Sequence, residues 1–80
     1  MVLERLTAAT VAGIDQQIQL IKREQFRIIM REATEHDGLP CVKLTEIREG
    51  KSKLLCVAPA KMASLFLVGW MEELDIEKEA

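Results

Sequence analysis

Apolar and polar residues follow a helical period through the first half of the chain, over about residues 3–37. At 100° per residue, nine apolar side chains between Val11 and Ala33 fall within an arc of roughly 200°, with arginine and glutamine on the opposite side. Residues 37–40, Asp-Gly-Leu-Pro, are typical of a helix end because glycine accepts the left-handed conformation and proline cannot continue the helix. The pattern predicts one long N-terminal helix and leaves open whether it is continuous through Gly13.

A second interpretation makes a strand of residues 25–32, where Phe26, Ile28 and Met30 alternate with other side chains. Two observations favour the helix. Residues 31–35 are rich in helix formers, and the stop signal at Gly38 fits the end of a helix.

Residues 41–58 are predicted to form a β-hairpin around the segment Arg-Glu-Gly-Lys at residues 48–51. A three-residue loop with Gly50 in the left-handed conformation would pair Ile47 with Lys51. This register places four apolar side chains on one face: Val42, Leu44, Leu54 and Cys56. It also puts Cys41 and Cys56 on opposite faces, so we expect no disulfide between them within one chain.

A final helix is predicted over about residues 59–75, with Pro59 at its first position. Apolar side chains cover nearly its whole circumference from Met62 to Leu74, which is typical of a helix that is buried on all sides.

These elements predict an α+β fold in the order αββα, as a single small domain spanning residues 1–80. A helix of about 30 residues is roughly 45 Å long, which exceeds the diameter of a compact domain of this size. One hairpin and one helix cannot cover so much apolar surface, and we therefore expect a homodimer. The residues predicted to mediate self-association are Phe66, Val68, Trp70 and Met71.

Composition argues against several classes of protein and of site. The 80 residues are 49% hydrophobic and 30% charged with a net charge of −2, which is typical of a globular protein and not of a dedicated nucleic-acid binder. Two cysteines and one histidine cannot supply a structural zinc site, so no metal or cofactor is expected. The sequence has no secretory-signal pattern, and its longest near-apolar stretch is about half of the roughly 20 residues that span a membrane. The expected location is the cytoplasm.

The charged residues offer one candidate binding site. Arg23, Arg27 and Arg31 are spaced four residues apart, so on one helix their guanidinium groups would form a stripe for phosphate or another anion. Lys51 and Lys53 at the hairpin tip could extend it. The alternative is a solvated face of an amphipathic helix. Nucleic-acid binding also lacks support from stacking aromatic residues, since the chain has no tyrosine.

No paired carboxylates, nucleophile–histidine set, phosphate loop or metal cluster is recognisable in the sequence, so we expect no enzymatic activity. The leading hypothesis is a regulatory or adaptor protein that binds an unidentified protein partner, by analogy with small inhibitors of phages and mobile elements. The alternative is an anion, nucleotide or nucleic-acid binding module that uses the arginine stripe.

Overall fold

Two helices flank a three-stranded antiparallel sheet along the chain, in the order α-β-β-β-α. The computed structural model describes residues 8–76, with side chains from residue 11 onward. The elements are α1 (Ala8–Gln25), β1 (Ile28–His36), β2 (Leu39–Arg48), β3 (Lys51–Ala58) and α2 (Ala60–Glu73). The predicted α+β class is confirmed, whereas the predicted order αββα lacks one strand.

The missing strand is β1, which the sequence interpretation had assigned to the long helix. Helix α1 ends at Gln25, and Ile28–His36 pairs along its whole length with β2, from Ile28 opposite Ile47 to His36 opposite Leu39. Alternation across a sheet, which the sequence interpretation set aside, therefore describes this segment better than the helical period.

The segment Asp37-Gly38 is a two-residue turn between strands and not a helix end. Both residues have left-handed φ values, 51° and 79°, as a type I′ hairpin turn requires. The same residue types serve both structures, because aspartate and glycine tolerate this conformation wherever the chain needs it.

The predicted hairpin between β2 and β3 is confirmed, but its loop and register are different. Arg48 pairs with Lys51 around Glu49-Gly50, another two-residue turn with left-handed φ at both positions. A bulge then shifts the register, so that Leu54 lies opposite Thr45 and Cys56 lies opposite Leu44. Leu54 consequently lies on the other face of the sheet from Leu44, and the prediction of four apolar residues on one face is wrong for Leu54.

Replacing Glu49 with asparagine is expected to raise the free energy of unfolding by about 0.5–1 kcal/mol, because Asn-Gly suits a type I′ turn better than Glu-Gly. Urea unfolding at a fixed protein concentration measures the change. Asp37→Asn is the matched control, since Asp-Gly is already a favoured pair in this turn. A loss of stability in Glu49→Asn would contradict the assigned turn.

The core lies between the two helices and one face of the sheet. Helix α2 contributes Ala63, Leu67 and Met71 at four-residue spacing, and α1 contributes three buried isoleucines: Ile14, Ile18 and Ile21. These side chains pack against buried residues of the sheet, among them Val42 and Leu44. Helix α2 is therefore buried along one stripe, and the prediction that it is buried on all sides is wrong.

Helix α2 ends in a closed cap that returns the chain to this core. The Asp75 N–H donates to the Glu72 carbonyl and the Ile76 N–H donates to the Met71 carbonyl, at 3.1 Å and 3.0 Å. Asp75 has a φ of 59°, and the buried Ile76 supplies the apolar contact typical of this Schellman arrangement. The cap thereby brings Ile76 into the core at the end of α2.

Candidate protein-binding surface

The sheet packs one face against the helices, and residues 8–76 place no covering layer on its other face, which we call the open face. The smallest dimension of the molecule, 20 Å, fits two layers about 10 Å apart. By register, the side chains of the open face are Ile28, Met30, Glu32, Thr34 and His36 of β1, Leu39, Cys41, Lys43, Thr45 and Ile47 of β2, and Ser52, Leu54 and Val57 of β3.

Apolar side chains from all three strands are exposed on the open face. Ile28, Met30, Leu39, Leu54 and Val57 are 40–57% exposed, and Ile47 is half-buried among them. An antiparallel sheet with one covered face usually turns polar side chains to water on the other face. The open face therefore carries exposed apolar side chains that the described part of this chain does not cover.

The bulge in β3 places two of these side chains on the open face. Leu55 and Cys56 both pack against the core, so the strand uses two consecutive inward positions. Leu54 before the bulge and Val57 after it consequently point to the open face. A strictly alternating strand could not expose both of them.

Charge on the open face is balanced. Glu32 and Lys43 are cross-strand partners near its centre, and His36 lies at its end, opposite Leu39. With histidine neutral, these groups give the strand residues of the face no net charge.

Phe26 lies beside one corner of the open face. It precedes Ile28 by two residues and lines a shallow depression of about 320 Å³ together with Ile47 of the open face and with Arg27 and Glu46, of which Glu46 points to the opposite face of the sheet. Its side chain is 91% exposed, the largest value among the exposed large apolar residues of the described chain.

The predicted arginine stripe does not exist, because the three residues lie on different elements. Arg23 is on α1, Arg27 follows the end of α1, and Arg31 is on β1. Arg31 forms two hydrogen bonds to Asp15 of α1, of which the Nη2–Oδ2 bond is 3.0 Å long. These bonds raise the pKa of the Arg31 guanidinium.

Arg27 contacts residues of both the sheet and α2. Its Nε donates to Oε2 of Glu46 at 2.8 Å, and its guanidinium carbon lies 4.9 Å from the centre of the Trp70 ring. The Glu46 side chain is only 7% exposed and that of Arg27 is 27% exposed, so this pair is largely shielded from water. Ion pairing and cation–π stacking together give Arg27 a structural role.

Arg23 lies at an open groove of about 790 Å³ between the two helices, together with Val68 and Met71. Across the helix pair, the Ser64 hydroxyl donates to the Gln17 side-chain oxygen at 3.1 Å. The Arg23 side chain is exposed, and its Nε lies 3.5 Å from Oε1 of Glu24.

The two candidate lysines lie on edge strand β3. Lys51 pairs with Arg48 beside the turn, and Lys53 is the cross-strand partner of Glu46. Positive charge on an edge strand also discourages pairing with another chain. The structure thus places both lysines on a different element from Arg23.

The residues predicted for self-association lie on α2, on the other side of the molecule from the open face. Met71 is buried in the core of its own chain, and Val68 and Trp70 are half-buried. The Phe66 ring lies 6.2 Å from that of Trp70 and is partly exposed. The exposed apolar side chains of α2 are Met62, Leu65 and Phe66.

Both cysteines are free and lie on opposite faces of the sheet, as the sequence predicted. Burial raises the pKa of the Cys56 thiol, which disfavours its reactive thiolate form. Within residues 8–76, no group of three or more His, Cys, Asp or Glu side chains is placed to hold a metal ion. Neither described helix is both long enough and apolar enough to cross a membrane.

Sequence reasoning missed Phe26, Ile28 and Met30 as surface residues because it placed them on the buried arc of a helix. The signal that could have found them is the alternation of residues 26–31, followed by Asp-Gly and a second alternating run. No sequence signal distinguished Leu54, since its exposure depends on the bulge.

Comparisons of the chain with protein-family models, with curated proteins and with solved structures found no match.

Proposed function

We propose that this protein is a small non-enzymatic regulatory or adaptor domain that acts by protein–protein binding as a homodimer. The observation that carries the proposal is the apolar open face. We assign this face, with the adjoining ring of Phe26, to a second copy of the chain. This site replaces the self-association site on α2 that the sequence indicated.

Charge complementarity supports a second copy as the occupant. A twofold interface brings the same surface of both copies together, so the surface must match itself. Glu32 and Lys43 are adjacent and of opposite sign. With a twofold axis between them, Glu32 of one copy faces Lys43 of the other.

The available area also supports a dimer. Full burial of an aliphatic side chain removes on the order of 100 Å² of apolar surface, so the five half-exposed residues of the open face offer about 250 Å² per copy. The ring of Phe26 adds about 150 Å². If about 60% of the interface is apolar, the pair buries about 1,300 Å² in total, which lies within the range of specific interfaces.

Such a dimer leaves the outer side of α2 accessible, because α2 packs on the opposite side of the sheet from the open face. Met62 and Leu65, both more than half exposed, then form a second surface for the unidentified protein partner. The alternative function, anion binding by a row of arginines, has lost its geometric basis. Arg27 and Arg31 are paired with carboxylates of their own chain.

The solution mass tests the proposal, with Leu54→Lys as the disrupting variant. The wild type is expected to give twice the chain mass of 9.1 kDa at tens of micromolar by light scattering, at low and at high salt. Leu54→Lys is expected to raise the dissociation constant at least a hundredfold, because the twofold buries two lysines in an apolar interface.

Leu65→Lys is the matched control, since Leu65 and Leu54 are 56% and 57% exposed. It is expected to leave the dimer intact. A monomeric wild type would overturn the proposal. A dimer lost in Leu65→Lys and kept in Leu54→Lys would place the interface on α2, and a mass that falls with salt would indicate a charged contact instead.

A further inference from the structure

Phe26 has a backbone conformation that suits another residue. Its φ is 56°, and its N–H donates to the Lys22 carbonyl at 2.9 Å, which closes the last turn of α1. This is the left-handed position after a helix, where glycine is the usual residue and asparagine the next. A phenylalanine is strained there, because its Cβ crowds the neighbouring carbonyl oxygen.

The Phe26 side chain gives the isolated chain little in return for this strain. At 91% exposed, the ring is almost entirely in water. The strained backbone destabilises the monomer, and the ring offsets none of this cost because it gains almost no burial on folding. Folding alone would therefore be better served by glycine or asparagine at this position.

The position of the ring points to binding. Phe26 lines a depression with Ile47, the cross-strand partner of Ile28 on the open face, and precedes Ile28 by two residues in the chain. Without Phe26, the same estimate of dimer area falls to about 800 Å² in total, the size of a non-specific crystal contact. The ring therefore makes the difference between a marginal interface and a specific one.

We infer that Phe26 is the anchor of the dimer interface and that its ring packs onto the open face of the second copy. This inference rests on the proposed homodimer. Large aromatic side chains carry a disproportionate share of binding energy in protein interfaces. The hydrogen bond from the Phe26 N–H to the Lys22 carbonyl fixes the backbone at this position before association, so little backbone freedom is lost when the copies meet.

Phe26→Asn tests the inference through two measurements with opposite signs. Asparagine accepts the left-handed conformation and removes the ring. Sedimentation equilibrium is expected to give a dissociation constant about a hundredfold above that of the wild type, since the twofold removes two rings. At a concentration where both proteins are monomeric, the thermal midpoint of the variant is expected to be equal or higher.

Phe26→Leu is the conservative variant, and an intermediate dissociation constant is expected because it keeps an apolar side chain and the strain. A Phe26→Asn dimer as tight as the wild type would overturn the inference, as would a lower thermal midpoint of the monomer, which would mean that the ring stabilises the fold. If Leu54→Lys dissociates the dimer and Phe26→Asn does not, only the anchor role fails. If the wild type is monomeric, both the proposed homodimer and the anchor role of Phe26 are wrong.

Discussion

Replacing Arg27 with alanine is expected to lower the free energy of unfolding by about 3 kcal/mol, because it leaves the carboxylate of Glu46 shielded from water without its cation. Breaking a buried ion pair by removal of one partner typically costs about 3–5 kcal/mol. The partial exposure of Arg27 places the expected value at the lower end. The variant also loses the stacking of the guanidinium on Trp70, which couples β2 to α2.

Urea unfolding measures the change, at one protein concentration because the proposed association would also contribute to apparent stability. With a slope of about 1 kcal/mol per molar urea, the midpoint should fall by about 3 M, which is a large part of the stability of a domain of this size. Such a variant is expected to be partly unfolded near 37 °C.

Arg31→Ala is the matched control, because Arg31 is also an arginine bound to a carboxylate. The side chains of Arg31 and Asp15 are 39% and 46% exposed, so water can replace the lost partner. The expected cost is at most about 1 kcal/mol. Equal losses in Arg27→Ala and Arg31→Ala would contradict the distinction between a shielded and an exposed pair.

The sequence was sufficient to predict the elements whose signals are local and unambiguous. Proline at position 59, followed by a dense apolar run, predicted α2 within about two residues of its observed bounds. The hairpin β2–β3 was predicted from two alternating runs around a glycine. In both cases one physical signal dominated, and no competing element could use the same residues.

The first half of the chain was mispredicted because its helix ends at a residue that carries no end signal. Phenylalanine is an unfavourable residue for the left-handed position after a helix, so nothing in the sequence marks residue 26. The marked position, Gly38, lies 12 residues further along and serves a β-turn. Tertiary pairing of β1 with β2 decided the outcome over local helix propensity.

The arginine stripe failed for the same reason. A four-residue spacing places side chains on one face only while the chain remains helical, and α1 ends between Arg23 and Arg27. The candidate surface, by contrast, is built from residues on three strands. Which residues of β3 lie on this surface depends on a bulge that no sequence pattern in β3 predicts. The sequence could therefore indicate excess apolar surface but could not locate it.

Replacing Leu44 with alanine is expected to lower the free energy of unfolding by about 2–5 kcal/mol, whereas Leu54→Ala should change it by less than about 0.5 kcal/mol in the monomer. Leu44 is fully buried between the sheet and the helices, so its truncation leaves a cavity. Leu54 is more than half exposed on the open face, and its truncation mainly removes contact with water. The measurement is urea unfolding at a protein concentration below the dissociation constant of the proposed dimer.

This pair of leucines separates folding from association. At higher concentration, the stability of Leu54→Ala is expected to fall further behind that of the wild type, because in the proposed homodimer only the wild type gains fully from association. The deficit of Leu44→Ala should stay constant if its dimer interface is unchanged. Equal deficits at low concentration would mean that both leucines face the helices and that the bulge is misplaced. Leu54 and Val57 would then leave the open face, and with them would go much of the apolar area that supports a homodimer.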